Sequence, residues 1–306
     1  MSIKSASEMD FRSKKFTVII AGAPGLGKTT LALSAPKPLL FDLDRGIARV
    51  RAEHRQPTSF VDTYEDMLED MKTDAYRECE SVVIDTGGSL VQLLQPWAKK
   101  QDPKAARDGR AMFGIVKREF DRLCAQIRMD NKNAVIVFHT TEQQKGDVIT
   151  QRLSCEGSAK DIVWTPADFG GCMMMQGKRR MIGFTPTEEY FAKGCFGIGG
   201  LIEIPELKED QPNTFLTDLF ARASANIAAE SVEYAKHKAV YDRTMREGIA
   251  AVSAVTDAES ATEAAVSIKG MEHALTSKAE LGGALTAKAK DLGLRFNKEN
   301  GCYVKA

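Results

Sequence analysis

Short apolar runs alternate with helical patterns along the N-terminal part of the chain. Four of these runs predict strands: FTVIIA from Phe16, KPLLFD from Lys37, SVVI from Ser81 and NAVIVF from Asn133. Continuous apolar runs of this length are typical of parallel strands that are buried on both faces. The alternation therefore predicts an α/β fold, with a mostly parallel central sheet flanked by helices.

One connecting segment has a clear helical period. Its apolar residues recur at spacings of three and four and form a single stripe, which predicts a helix that packs on the sheet: Phe113, Val116, Phe120, Leu123 and Ile127. Further along, a hairpin that turns at Gln176-Gly177-Lys178 is predicted.

The composition changes after about Thr214, where alanine becomes dominant and the pattern turns helical. We therefore predict two regions, a core over residues 1–213 and a mainly α-helical C-terminal extension over residues 214–306. The extension carries no catalytic constellation. It could mediate oligomerisation, contact a partner such as a single-strand-binding protein, or be an inert appended bundle or a partly disordered tail.

The bulk composition of the 306 residues excludes several classes. Lysine plus arginine and aspartate plus glutamate each number 42, so any nucleic-acid binding must rest on a local patch. No secretory signal or membrane span is apparent, which predicts a cytoplasmic protein without membrane contact. The six scattered cysteines form no CxxC pair, so we expect reduced thiols in preference to a zinc site.

A glycine-rich turn lies between the first predicted strand and a helical segment. Gly22-Ala23-Pro24-Gly25-Leu26-Gly27-Lys28-Thr29 matches GxxxxGK[ST] at every position, and Thr30 follows. Glycines let a polyphosphate approach the backbone, whose N–H groups form an anion site at a helix N-terminus. Lys28 can reach the β- and γ-phosphates, and the Thr29 hydroxyl can bind Mg²⁺. The motif predicts a binding site for Mg·ATP.

Two further predicted strands end in carboxylates. Asp85 ends the run SVVI, where we assign it to hold Mg²⁺ through its water shell; the alternative is a cap on the following helix. Asp42 and Asp44 follow the second strand and would project to the same side of an extended chain. We prefer Asp44 as the group that polarises the attacking water, the alternative being an Asx turn.

His139 ends the strand that begins at Asn133. At such a strand end a histidine can sense the γ-phosphate and report its presence to the next loop. The alternative is a histidine that is only hydrogen-bonded in the core.

These four features, in this order, resemble the RecA-like ATPase core. More narrowly, PKPLLFDLDRG, GIVKREFDRL and FTPTEEYFAKGCFG resemble the phage-encoded RecA-like ATPases of the Sak type, which are associated with single-strand annealing and recombination. The resemblance covers roughly Phe16 to Leu201.

The resemblance implies a role for each matching residue. Asp44 corresponds to the water-activating glutamate of the RecA family, one methylene shorter, Asp85 to the Walker B acid, and His139 or Thr140 to the polar sensor. It also implies a homo-oligomeric ring or filament, with ATP at subunit interfaces and a cation reaching in from the neighbour. Lys193 is our candidate for that cation, with Arg179 and Arg180 as alternatives.

The RecA-like architecture places two DNA-binding loops after the Walker B and sensor strands. The first basic segment, residues 95–112, combines an aromatic ring with cations, which suits single-stranded DNA; the alternative is a solvated helix end and linker. The second segment, residues 140–161, follows His139, so nucleotide state could order or release it. The candidate DNA-binding residues are Trp97, Lys99, Lys100, Lys104, Arg107, Arg110, Lys145, Arg152 and Lys160.

The function expected from these features is an ATP-dependent, ATP-hydrolysing single-stranded DNA-binding protein that promotes annealing or recombination, in the cytoplasm of a bacterial host if phage-encoded. Two alternatives remain: a P-loop phosphotransferase such as a kinase, and a nucleotide-dependent scaffold that does not hydrolyse.

Overall fold

The computed structural model describes residues 14–145, 148–154, 163–208, 211–297 and 300–305. The described residues form two compact units, one up to Asn226 and one from Ile227 onward. The boundary falls inside a helix whose first residue directly follows Thr214, where the composition changes.

The first unit is built on a nine-stranded sheet with the order β3-β2-β4-β5-β1-β7-β8-β9, and β6 pairs with β5. Its strands are β1 (Thr17–Gly22), β2 (Pro38–Asp42), β3 (Thr58–Phe60), β4 (Ser81–Asp85), β5 (Asn133–Lys145), β6 (Val148–Leu153), β7 (Phe169–Gln176), β8 (Arg179–Gly183) and β9 (Leu201–Ile204). The pairs from β3 to β7 are parallel, and those that involve β6, β8 and β9 are antiparallel.

Helices lie between the parallel strands. They are α1 (Lys28–Ala32), α2 (Tyr64–Asp70), α3 (Asp74–Glu78), α4 (Gly87–Gln101) and α5 (Gly109–Met129), with short 3₁₀ helices at Gly46–Arg49 and Ala52–His54. The long helix α6 (Phe215–Ser253) begins in the first unit and continues into the second. The predicted mostly parallel central sheet with flanking helices is confirmed.

The sheet owes its stability to strands that are apolar on both faces. Every residue of β1, β2 and β4 is buried. On α5, Val116, Phe120, Leu123 and Ile127 are buried and Phe113 packs partly exposed against the same core, so the predicted stripe is confirmed.

Helix α4 lies close to β5 because its first residue is glycine. A Cβ atom on Gly87 would lie 2.2 Å from the ring of Phe138, which fills that space. The ring is fully buried. Any larger residue at Gly87 would displace either the ring or the start of α4.

The second unit is mainly helical and has its own core. It contains the rest of α6, α7 (Ala258–Gly270), α8 (Ser277–Asp291) and an antiparallel hairpin of β10 (Leu294–Asn297) and β11 (Cys302–Lys305). Buried side chains from α7 and α8, including Ile268, Leu281 and Leu285, form this core.

In the part of the chain that the structure describes, the cysteines are free and no group of three or more histidine, cysteine or acidic residues could hold a metal ion. Cys155 lies outside it. Nor does any helix among the described residues combine the length and apolar character that crossing a membrane requires.

Candidate nucleotide-binding site

The glycine-rich turn leaves β1 at the carboxyl edge of the sheet. Gly25 and Gly27 have φ angles of +83° and +81°, in the left-handed region that favours glycine. Gly22 has another role, since a Cβ atom there would lie 3.0 Å from the carbonyl oxygen of Met173 on β7. The turn therefore exposes backbone amides that side chains would otherwise cover.

Lys28 is only 4% exposed, and its ammonium group has two partners. Its Nζ donates to the carbonyl oxygen of Ala23 at 2.9 Å and lies 3.1 Å from Nδ1 of His139. Burial lowers the pKa of Lys28, against the opposing effect of the Asp85 carboxylate. The lysine is thus fixed beside the turn, where its ammonium group is placed to bind an anion.

Burial also lowers the pKa of His139, and the positive charge of Lys28 adds to this effect, while Asp44 opposes it. The imidazole is therefore neutral near pH 7. Because an ammonium group can only donate, we assign Nδ1 as the acceptor, which leaves the proton on Nε2. Nε2 lies 3.9 Å from Oδ2 of Asp44. His139 thus connects the P-loop lysine with the carboxylate predicted to act on water.

Thr29 and Asp85 lie together, as their predicted shared metal role requires. The Thr29 hydroxyl donates to Oδ2 of Asp85 at 2.5 Å. Burial raises the pKa of Asp85, the Thr29 hydrogen bond opposes this, and the charges of Asp44 and Asp42 raise it further. A hydroxyl and mutually repelling carboxylates are the hard oxygen donors that Mg²⁺ prefers, so these residues fit the ion.

The cap on α4 is Thr86, not Asp85. The Thr86 side chain accepts a hydrogen bond from the backbone N–H of Ser89 at 3.2 Å, while the Asp85 carboxylate accepts one from Thr29. The carboxylate of Asp85 is therefore available to the P-loop.

Asp42 and Asp44 do not share one environment, which corrects the expectation that both project to the same side. Strand β2 ends at Asp42, which is fully buried and accepts the amides of Gly46 and Ile47 at 2.8 and 2.9 Å. Asp42 thus has a structural role, because its carboxylate fixes the turn after β2 in the manner of an Asx turn. Asp44 is partly exposed, accepts a hydrogen bond from Ser89 and faces His139.

Two polar residues near this site were not predicted from the sequence. Ser89 donates a hydrogen bond to the Asp44 carboxylate. The sequence indicates this residue only through its position, three residues after Thr86, which caps α4. Arg49, in the first 3₁₀ helix, contributes to the lowered pKa of His139 through its charge. No motif marked it.

The first basic segment is more ordered than predicted. Trp97, Lys99 and Lys100 lie within α4, and the Trp97 ring packs edge-on against Tyr64 with centroids 5.3 Å apart. Trp97 therefore lies partly exposed at the surface of the core, and its stacking on a base stays a prediction. Lys100 pairs with Glu65 at 2.9 Å. The remaining cations of the segment are exposed: Lys99, Lys104, Arg107 and Arg110.

The second segment is a β-hairpin where a loop was expected. The residues after His139 continue β5, and β6 pairs with them from Thr140 opposite Leu153 to Lys145 opposite Val148. Arg152 is exposed on β6. The Lys145 side chain and Lys160 lie outside what the structure describes.

The candidates for the neighbour's cation lie in different places. Lys193 donates to the carbonyl oxygen of Ala167 in its own subunit, and its role as the neighbour's cation stays a prediction. Arg179 is exposed, 3.5 Å from Glu203. Arg180 lies against the P-loop of its own chain, with Nη1 3.5 Å from where a Cβ of Gly27 would be.

The sequence model of the family described as AAA domain matches residues 14–196, which include every P-loop and strand-end residue above. Among solved structures, the chain is similar to the crystal structure of a KaiC-like protein from the hyperthermophilic archaeon Pyrococcus horikoshii OT3. The two are 15% identical with a TM-score of 0.37, and the match covers 63% of this chain and 90% of that chain. A search of curated proteins gives no match.

Proposed function

The chain belongs to the AAA domain family, and from this premise we propose that it is a RecA-like P-loop ATPase that couples ATP hydrolysis to the binding of single-stranded DNA. The binding would promote annealing or recombination. The observation that carries the proposal is the contact between Lys28 and His139, at the point where β5 leaves the central sheet and becomes the β5–β6 hairpin.

The phosphates would lie on the exposed amides of the glycine turn, with Lys28 beside them. Thr29 and Asp85 would hold Mg²⁺, which neutralises developing charge on the phosphates when bound. The residues of the protein itself bind the phosphates, orient them and exclude other ligands from the turn. Lys28 is already desolvated, so its interaction with a bound anion is stronger than it would be in water.

Asp44 is the group best placed to orient the attacking water. Its carboxylate is held by Ser89 on one side and faces the protonated Nε2 of His139 on the other. Ser89 is the hydrogen-bond donor to this carboxylate, and Nε2 at 3.9 Å is too distant to donate, so lone pairs remain that can accept a proton from water.

His139 is suited to report the nucleotide state. A γ-phosphate competes for the Lys28 ammonium group, and the loss of that contact would shift the imidazole at the base of the hairpin. Strand β5 is continuous from Asn133 to Lys145, so a shift at His139 would be passed on to the hairpin. The hairpin would present Arg152 to DNA phosphates, together with the exposed cations of the first basic segment.

The assembled form is part of the proposal. ATP bound between subunits of a homo-oligomer would stabilise a ring or filament on DNA, and hydrolysis would release it. A single-strand-binding protein is a candidate partner for the C-terminal helices.

The test is the ATPase rate with and without single-stranded DNA, for the wild type and Lys28→Ala. We expect turnover that rises with DNA and is lost in Lys28→Ala. Turnover that needs a small acceptor in place of DNA would indicate the phosphotransferase. Tight binding without turnover would indicate the scaffold. Unchanged turnover in Lys28→Ala would remove the site assignment.

The coupling of DNA binding to ATP turnover is tested separately with Arg152→Ala. The matched control is Lys178→Ala, which removes an exposed cation at the β7–β8 turn. Arg152→Ala should weaken DNA binding and reduce DNA stimulation while basal turnover persists. Lys178→Ala should change neither quantity. Equal effects of the two substitutions would mean that only net charge matters.

A further inference from the structure

A cavity of about 210 Å³ is lined by the β5–β6 hairpin and by the central strands β1 and β7. The hairpin contributes Thr140, Gln151 and Leu153, and the central strands contribute Ala21 and Cys172. The function proposed above gives this space no role.

One face of the hairpin forms a wall of the cavity. Thr140 pairs with Leu153, and Gln151 lies two residues before Leu153, so the three side chains share that face. The backbone N–H of Gln151 donates to the carbonyl oxygen of Glu189 at 2.6 Å, which attaches the hairpin to the segment that leads to Phe191. The wall is therefore held in place by backbone hydrogen bonds.

Two buried polar atoms on this wall lack a partner within the described part of the chain. They are Oγ1 of Thr140, a residue that is only 8% exposed, and Oε1 of Gln151. The other end of the Gln151 amide, Nε2, donates to Oε1 of Glu142 at 3.1 Å. A buried polar atom without a partner costs free energy, which a ligand with complementary donors and acceptors would recover. The cavity thus offers a hydroxyl that donates or accepts and an amide oxygen that accepts.

Aromatic rings form another part of the lining. The rings of Trp164 and Phe191 meet edge to face with centroids 4.6 Å apart, and Phe191 is 53% exposed. Arg152 is exposed and also lines the cavity, so its open side combines a flat apolar ring with a cation. This combination suits a heterocycle that is attached to an anionic chain.

The volume fits a single ring system. It exceeds a cavity of about 150 Å³ that accepts benzene, and it lies below the range of about 300–1,000 Å³ for drug-sized ligands. A nucleobase stacks on an aromatic ring and presents donors and acceptors along its edge, which benzene lacks. The sugar and phosphate would remain outside, within reach of the exposed Arg152.

We propose that this cavity binds one unstacked base of single-stranded DNA, with its edge toward Thr140 and Gln151 and its face against Phe191. The proposal rests on the DNA-binding function proposed above and adds a base contact to the phosphate contacts assigned there. Ala21 directly precedes Gly22, where the glycine turn begins. A bound base therefore contacts the strand that leads into the P-loop, which gives DNA a direct physical route to the nucleotide site.

The test compares two oligonucleotides of equal length and charge, one of mixed sequence and one in which every nucleotide is abasic. Dissociation constants are measured with Mg²⁺ and a non-hydrolysable ATP analogue for the wild type, Phe191→Ala and Phe60→Ala. Phe60 is the matched control, because its ring is 54% exposed on β3, at the edge of the sheet.

Phe191→Ala should raise the dissociation constant for the base-bearing oligonucleotide at least about fivefold, as expected for the loss of one base–aromatic stack. The constant for the abasic oligonucleotide should stay within about twofold. Phe60→Ala should change neither, and Arg152→Ala should weaken both alike. Equal weakening of both oligonucleotides by Phe191→Ala, or an unchanged constant for the base-bearing one, would overturn the cavity assignment.

The polar contact is tested with Thr140→Val, which keeps the shape of the side chain and removes its hydroxyl. Thr141→Val is the control, because neighbouring residues of a strand face opposite ways and Thr141 is exposed. Thr140→Val should weaken binding of the base-bearing oligonucleotide alone, at least about threefold, while Tm of the DNA-free protein stays the same or rises. A lower Tm with parallel weakening of both oligonucleotides would show a structural role and overturn the base contact.

Failure of the underlying function has a different signature. A wild type that binds neither oligonucleotide would overturn both the DNA-binding function and this inference. Equal affinity of the wild type for both oligonucleotides, with binding weakened in Arg152→Ala, would retain the function and overturn the cavity assignment alone. Tight binding of a free nucleoside without binding of either oligonucleotide would assign the cavity to a small molecule and overturn the proposal.

Discussion

Asp42 and Asp85 are buried carboxylates at paired positions of adjacent strands, and their replacement by asparagine should change stability in opposite directions. Asp85 receives one side-chain hydrogen bond, from Thr29, and burial raises its pKa. Without Mg²⁺, the ionised form of Asp85 is therefore a cost to the folded state. Asp85→Asn removes that cost while it removes the proposed metal ligand.

The magnitude follows from two competing effects. Weakening a charge-assisted hydrogen bond to a neutral one costs about 1 kcal/mol. Removing a buried carboxylate recovers part of a desolvation penalty of several kcal/mol, which Lys28 only partly offsets. Asp85→Asn should thus stabilise the metal-free protein by about 1–2 kcal/mol, or raise Tm by roughly 2–8 °C.

The pH dependence has a definite sign. The folded-state pKa of Asp85 lies above its unfolded value, so the destabilisation is complete above the folded-state pKa and disappears as the pH falls to the unfolded one. The advantage of Asp85→Asn should therefore be largest near pH 8 and shrink in acid.

Asp42→Asn is the matched control. Asp42 accepts two backbone amides through its two oxygens, and asparagine would turn an NH₂ group toward one of them. We expect a loss of about 2–3 kcal/mol. Thermal melts in EDTA between pH 5 and 8 measure both variants. A lower Tm for Asp85→Asn than for the wild type at pH 8 would refute the reasoning, since Asp85 would then stabilise the folded state.

Adding Mg²⁺ and a non-hydrolysable ATP analogue at 100 times Kd should raise the free energy of unfolding of the wild type by about 2.7 kcal/mol and that of Asp85→Asn by less.

Three further predictions concern other parts of the first unit. Gly87→Ala should destabilise the protein by about 2–4 kcal/mol, measured by urea unfolding, because the β5 ring that packs there must move. Turnover should fall in acid as His139 protonates next to the lysine that it now accepts from, and His139→Gln should lack this acid limb of the pH–rate profile. Replacing Lys99, Lys100 and Lys104 by alanine should weaken binding of single-stranded DNA and flatten its salt dependence by up to about two units of slope, with basal ATPase activity unchanged.

The sequence was sufficient for the central sheet because its strands are buried on both faces. Strands such as β1 and β4 then contain continuous apolar runs, residues 18–21 and 82–84, which are not expected of an exposed strand. The β5–β6 hairpin was missed for the opposite reason. Its residues are largely polar and exposed, and the partner strand, not burial, determines its extended form.

The P-loop residues and Asp85 were predictable because their positions are fixed locally, by a motif and by the end of a strand. Asp42 and Asp44 were not distinguishable by spacing, since the distinction depends on where β2 ends and on the amides of Gly46 and Ile47 beyond it. Trp97 shows the same limit, since its partner Tyr64 is distant in sequence and only the packing of α4 against α2 brings the rings together.

The arrangement of strands around β1 separates two tasks of the proposed site. On one side β5 brings His139 to Lys28 and continues into the hairpin. On the other side β7 pairs with β1, and β8 returns Arg180 to a position beside Gly27. The two sides meet at β1 and the P-loop, so we expect substitutions beside Arg180 to change mainly nucleotide affinity, and those on the β5 side to change turnover and its coupling to DNA. Lys28 lies where the two sides meet, so nucleotide affinity and the coupling to DNA both depend on the same bound phosphates.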